Sequence, residues 1–323
     1  MSNSPFKLLD FLGFLFPGAI VLIALYVFFP DILEFLKLST ETDTNAVQYV
    51  VYIIIAYLIG HLVSLLSSIT IEKYSIWKYG YPSEFLLTDY KRGDYLTRES
   101  EMDNSKIDKE KNRYKKYKQI ARAIIYIIIL PVSFADFVFS RCGIDYYYTR
   151  KLSGFQISMI KGKCALLFRS LGLSYNLDNI FAGDNHRIVH NYYYENAEKH
   201  KNRMDNCIAV YDFLRAMSFV ACIVFLCLLC RSLTTINFHS EIDWSQIIEI
   251  VSIGVVAYLF YMGFLKYYRK FTLENFMCLL SDKEFNFPEY PQDYLNKISG
   301  ENTNNEDANN DDGSNETIKF NKL

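Results

Sequence analysis

The sequence predicts an all-α integral membrane protein, with four transmembrane helices and a mainly helical cytoplasmic domain between spans two and three. Four separated apolar runs each have the roughly 17–25 residues that a helix needs to cross a bilayer. Lys and Arg concentrate in the chain segments on one side of the predicted membrane spans. The chain also has only 14 Gly and 7 Pro in 323 residues. So few turn-forming residues favour long helices.

The predicted spans form two transmembrane hairpins. The first span has Pro17 and Gly18 near its middle, which predicts a kinked helix. The spans are residues 11–29, 49–69, 216–233 and 247–265. They divide the chain into a hairpin (1–70), a cytoplasmic helical domain (71–215), a second hairpin (216–270) and a cytoplasmic tail (271–323). We expect the tail to be disordered after residue 300, because it has almost no apolar residues to bury.

The distribution of cations gives the orientation. Residues 71–122 contain 13 Lys and Arg, and residues 140–215 contain another 11, whereas the connections within each hairpin are mostly acidic. Because cytoplasmic segments next to spans carry excess Lys and Arg, both termini and the middle domain are predicted to be cytoplasmic. The seven cysteines are scattered through cytoplasmic or membrane positions, which predicts reduced thiols.

A fifth apolar run, residues 123–139, is short and contains Pro131 and Asp136. We interpret it as a buried helix of the cytoplasmic domain or as a segment lying on the membrane surface. A full span here would place the basic block 140–215 outside, against the charge rule.

Polar residues within the spans are the candidates for a pore lining, because ionisable groups at membrane depth usually mark a pathway or an internal partner. His61 shares a helical face with Ser64 and Ser68, and Glu249 lies one turn from Ser252. The alternatives are that His61 hydrogen-bonds a neighbouring helix and that Glu249 reaches interfacial water.

Residues 106–122 form a strongly basic helical pattern with interleaved tyrosines, which is typical of phosphate contact on nucleic acid or on anionic lipid. Tyrosines on such a face can stack on exposed bases. The alternative is a solvated helix whose charge Asp108 and Glu110 partly balance. The predicted ligand-binding residues are Lys111, Arg113, Tyr114, Lys115, Lys116, Tyr117 and Lys118.

Catalytic signatures are absent from the sequence. His186 and His190 have metal-binding spacing, but Arg187 stands where the H-E-x-x-H motif has its glutamate. Cys227 and Cys230 form a CxxC only within a predicted span, with no second pair. We therefore predict a protein that is not an enzyme and that has no cofactor and no metal site.

The first span with Phe14-Leu-Phe-Pro-Gly-Ala19, the second with Ile59-Gly60-His61, the helical domain and the two closing spans together resemble the membrane effectors of bacterial anti-phage systems. The layout is most similar to the channel component of Hailong-type defence systems. The resemblance implies an oligomeric ion channel in the bacterial inner membrane, controlled by a short single-stranded DNA or nucleotide ligand that a nucleotidyltransferase partner makes. It also implies arrest or death of the infected cell.

Together these observations predict a homo-oligomeric channel in a lipid bilayer, with a tetramer favoured, that acts as an abortive-infection effector. Four spans are too few to enclose a roomy pathway in one chain, so a pore requires several copies. The alternative is a non-conducting membrane adaptor that recruits a soluble partner through the cytoplasmic domain.

Overall fold

The computed structural model describes residues 11–28, 45–87, 110–143, 149–173, 185–196, 198–235 and 244–281. Within these ranges every regular element is helical, which confirms the predicted all-α class. The described residues, all of which lie between Phe11 and Ser281, belong to one compact unit.

The helices follow one another with short or undescribed connections. In chain order they are a π-helical turn (Phe11–Leu15), α1 (Phe16–Phe28), α2 (Asn45–Ser67), a second π-helical turn (Ser68–Glu72), α3 (Lys73–Tyr79), α4 (Pro82–Leu87), α5 (Glu110–Ile128), α6 (Leu130–Arg141), α7 (Gly154–Ser170), α8 (Asn185–Asn196), α9 (Glu198–Thr235) and α10 (Trp244–Ser281).

Three helical segments among the described residues are long and apolar enough to cross a membrane: Tyr49–Leu87, Lys201–Leu233 and Trp244–Ser281. They contain the second, third and fourth predicted spans. The first predicted span contributes an apolar helix, Gly13–Phe28, that is shorter than these. α5 and α6 together have the composition of a further span but are bent by 96°, so the described residues hold three candidate spans, or four if the bent pair counts as one.

α1 crosses α2 at two glycines. A Cβ atom on Gly18 would overlap the carbonyl of Ala56, and one on Gly60 would overlap the carbonyl of Phe14. Small residues let membrane helices approach to backbone contact, so these glycines are required by packing.

α9 and α10 form a long antiparallel pair, and α9 also packs against α2, so it lies between α2 and α10. Ser218 donates a hydrogen bond to the carbonyl of Ala257 across the pair, at 3.0 Å. α9 begins at Glu198 and continues through the third predicted span without a break, so the polar stretch before that span and the span itself are one helix.

The run at 123–139, expected to be a single segment, consists of two helices that meet at Ile129. Pro131 has no N–H to donate to the carbonyl one turn before it, and its ring clashes with that carbonyl. The Ser133 hydroxyl lies 3.1 Å from the carbonyl oxygens of both Tyr126 and Leu130 and hydrogen-bonds to them. Two backbone carbonyls at the break therefore still accept hydrogen bonds.

Candidate functional site

His61 lies on an exposed face of α2. Its ring stacks on Phe14, with centroids 4.1 Å apart, and meets the edge of Tyr57 at 4.6 Å. Of the two serines predicted to share its face, Ser64 is half-buried, and Ser68 is half-buried in the second π-helical turn. Ser68 donates a hydrogen bond to Glu72 at 3.0 Å, so this hydroxyl is engaged within the chain.

Glu249 and Ser252 are both exposed on α10, and the Ser252 hydroxyl donates to the Glu249 carbonyl at 2.8 Å. α9 packs against both α2 and α10, so the two predicted pore-lining groups lie on two helices that each contact α9.

The predicted ligand-binding residues lie in the first half of α5. Tyr117 is 63% exposed, which leaves its ring available for stacking. The other side chains lie outside the described part of the structure: Lys111, Arg113, Tyr114, Lys115, Lys116 and Lys118.

The structure adds a buried polar cluster that the sequence reasoning missed. The Asp136 carboxylate on α6 is 1% exposed and accepts hydrogen bonds from Tyr74 at 2.8 Å and Tyr79 at 2.6 Å. The Lys78 ammonium donates to the same carboxylate at 2.6 Å and to the Asp136 carbonyl at 3.4 Å. We call Asp136, Tyr74, Lys78 and Tyr79 the Asp136 cluster; it joins α3 to α6.

Tyr261 extends this cluster to α10. Its ring is fully buried with its centroid 5.9 Å from that of Tyr74, and its hydroxyl has no hydrogen-bond partner among the described residues. Lys78 also lies 5.2 Å from the centroid of the Tyr79 ring, which adds a cation–π contact.

A second buried cluster surrounds Arg215 on α9. The guanidinium forms ion pairs with Glu72 and, at 2.8 Å, with Asp212, and it donates to the Ser67 hydroxyl at 3.3 Å. We call Arg215, Glu72, Asp212 and Ser67 the Arg215 cluster; it joins α9 to the second π-helical turn. π-helical turns inside helices are frequent at functional positions.

Two sequence signals pointed to these clusters. Asp136 is a lone acid in an apolar run beside a proline, and Arg215 is a cation directly before a predicted span. A buried charge requires partners, so each predicts a polar contact. The partners could not be named from the sequence, because Tyr74 is 62 positions from Asp136 and Glu72 is 143 from Arg215.

Among the described residues, no group of three His, Cys, Asp or Glu side chains is arranged to hold a metal ion. The Nδ1 atom of His190 lies 3.3 Å from the Asn275 side-chain oxygen, and its ring contacts Phe271. The side chain of His186 lies outside the described part.

Comparisons with known protein families, with curated proteins and with solved structures find no match for this chain.

Proposed function

We propose that this chain is a multi-pass protein of the bacterial inner membrane that assembles as a homo-oligomer around an ion-conducting pathway. The observation that carries the proposal is the exposure of two ionisable residues, His61 and Glu249, within the predicted spans of α2 and α10, where most of the other exposed side chains are apolar. An ionisable group facing acyl chains is costly, so such residues ordinarily face a protein partner or a water-filled cavity. Contact between copies supplies both.

Insertion in a bilayer is supported by the exposed apolar faces of the candidate spans. On α2, Leu58, Leu62 and Leu65 are each more than half exposed, and on α10 the same holds for Val251 and Val255. Continuous apolar faces of this kind are unfavourable in water and match the interior of a bilayer. The charge distribution supports cytoplasmic N- and C-termini.

The need for several copies follows from the size of one chain. Three or four helices leave no room for a wide pathway inside a single bundle, so several copies must surround it, with a tetramer favoured. The role in anti-phage defence, and control by a short single-stranded DNA or nucleotide from a nucleotidyltransferase partner, are supported by the resemblance in layout. The basic half of α5, with Tyr117 exposed, is the surface that we assign to this ligand.

Conductance of the purified protein in planar bilayers tests the channel. We expect cation-selective current that Glu249→Gln reduces, because a ring of carboxylates concentrates cations at a pore mouth. Glu195→Gln is the matched control: it removes the same charge from an exposed position on α8 and should leave the current unchanged. Absence of current under all conditions, with a monomeric protein, refutes the channel and leaves the non-conducting adaptor.

Binding of short single-stranded DNA tests the ligand surface. We expect quadruple charge reversal at Lys111, Arg113, Lys115 and Lys116 to abolish binding, with affinity in the parent protein falling by about 0.7 log units per log unit of salt for each phosphate contacted. The control reverses four exposed cations elsewhere and so holds the net charge equal: Lys151, Arg169, Arg187 and Lys201. Equal loss in both variants, or in neither, places the ligand elsewhere.

Infection of cells carrying this gene and its genomic neighbours tests the role in defence. We expect a potential-sensitive dye to report membrane depolarisation after phage addition, and Glu249→Gln to delay it. A membrane potential that stays constant while the phage is nevertheless restricted contradicts killing by depolarisation.

A further inference from the structure

The elbow between α5 and α6 lies against the middle of α10. A Cβ atom on Gly254 would be 3.7 Å from the Cβ of Pro131 and 3.4 Å from the ring of Phe225 on α9. At a rise of about 1.5 Å per residue, Gly254 is about 15 Å from Trp244 and about 18 Å from Lys266. If α10 crosses the membrane, the elbow therefore lies near its mid-depth.

Both limbs of the elbow return to the same end of the molecule. On α5 the Arg122 guanidinium lies 5.2 Å from the centroid of the Trp77 ring, and on α6 Asp136 binds Lys78, so both limbs contact α3. α3 follows α2 at its cytoplasmic end in the proposed orientation. Along α6 the contact with α10 moves from Gly254 beside Pro131 toward that end, since Phe139 stacks on Tyr258 with centroids 5.0 Å apart.

The polar groups at the elbow have hydrogen-bond partners within the protein, as groups away from water require. Non-helical backbone at membrane depth is tolerated only where its polar groups find partners, and Ser133 supplies one at the break. The single acid of α6, Asp136, is buried toward α3.

The outer surface of both limbs is apolar. On α5, Ile120, Ile124 and Ile127 follow at helical spacing and are 47%, 52% and 63% exposed. On α6, Phe134 and Phe137 are 64% and 46% exposed. This surface continues that of α10 next to Phe139, where the neighbour of Tyr258, Leu259, is also exposed.

We propose that α5 and α6 form a re-entrant hairpin, which enters the membrane from the cytoplasmic side, turns at mid-depth and returns, with its outer apolar surface against the acyl chains of the inner leaflet. Two observations favour lipid as the partner of this outer surface: the depth of the hairpin beside α10, and the continuity of its apolar surface with that of α10. Cations follow at both ends of the pair, in the basic half of α5 and at Arg141, as expected where a returning hairpin meets the lipid headgroups. The inference rests on the membrane orientation in the proposed function.

The side on which the hairpin ends is tested by labelling with a membrane-impermeant maleimide. One variant keeps Cys142, which is exposed just after α6, as its only cysteine; the other has none except that created by Ser245→Cys at the start of α10. We expect Cys142 to react in inverted vesicles only and position 245 to react in right-side-out vesicles only. Labelling of Cys142 from the outside, with position 245 also labelled from the outside, means that the pair spans the membrane and overturns the hairpin. Labelling of position 245 in inverted vesicles refutes the proposed orientation of α10 instead.

The lipid contact is tested by fluorescence quenching. A fluorophore on Ile127→Cys, in liposomes of lipids brominated along the acyl chain, should lose much of its emission, whereas the same label on the exposed control Lys151→Cys should lose little. Equal quenching at the two positions overturns contact with acyl chains. Crosslinks between copies through position 127 without quenching assign the surface to a second copy and also overturn it.

Discussion

The Lys78→Met variant tests how strongly the Asp136 cluster holds α3 to α6. It removes the cation that lies 2.6 Å from a carboxylate exposed to only 1%. Removing one partner of a buried ion pair costs about 3–5 kcal/mol, because the remaining charge has no compensation. The hydrogen bonds from Tyr74 and Tyr79 remain, so we expect the free energy of unfolding to fall by about 3 kcal/mol, at the lower end of that range.

The complementary variant, Asp136→Asn, should cost less. Lys78 is 18% exposed, so its ammonium can reach water once the carboxylate is gone. We expect a loss of about 1–3 kcal/mol, the cost of hydrogen bonds left poorly made. In the double variant no charge remains buried, so its loss should be clearly smaller than the sum of the two single losses.

The measurement is reversible unfolding in mixed micelles, followed by far-ultraviolet circular dichroism for the parent, both single variants and the double variant. Lys266→Met is the matched control: it removes an exposed lysine from α10 and should change the free energy of unfolding by no more than about 0.5 kcal/mol. A loss below about 1 kcal/mol for Lys78→Met, as for a surface ion pair, refutes the reasoning. So does strict additivity in the double variant.

Three further predictions concern packing and burial. Gly60→Ala should sharply reduce the yield of folded protein, because its Cβ has no space in the helix crossing, whereas Gly13→Ala, with open space around it, should not; equal yields contradict the crossing. Arg215→Met should lower the free energy of unfolding by about 1–3 kcal/mol, because Glu72 and Asp212 lose their cation but are 23% and 25% exposed and can reach water, and a loss below about 1 kcal/mol contradicts the burial of that cluster. Burial raises the pKa of the Cys164 thiol, so at about pH 8, near the ordinary thiol pKa, iodoacetamide should modify the exposed Cys142 and spare Cys164 until the chain is unfolded; equal rates of modification contradict the burial of α7.

The helical class could be predicted from the sequence because apolarity over a window of about 20 residues is a local property. The predicted span at 49–69 runs through α2 into the second π-helical turn, and those at 216–233 and 247–265 lie within α9 and α10. The elbow was not predicted: residues 123–139 were expected to form one segment despite Pro131, and only the packing against Gly254 shows where the broken pair lies.

The buried charges also could not be located from the sequence, because burial depends on packing between distant segments. Searching the spans for ionisable residues selects His61 and Glu249, which are exposed, and passes over Asp136 and Arg215, which are buried and lie outside the four predicted spans. Burial depends on which helices pack together, and the partners lie at distant positions in the chain. Whether His61 and Glu249 line a pathway stays a prediction.

The two buried clusters constrain how such a channel would gate. Both attach the segment that follows α2, one through Glu72 to α9 and the other through Lys78 to α6. If α2 and the segment after it move relative to α9 or α6, a buried charge pair must therefore break. Such a movement switches the protein between two discrete states. A step of about 3–5 kcal/mol requires a ligand that binds one state about two to four orders of magnitude more tightly than the other, since about 1.4 kcal/mol corresponds to a tenfold difference. If the proposed ligand binds the basic half of α5, its phosphate contacts can supply that difference only if they differ between the two states, because a ligand with equal affinity for both states shifts neither.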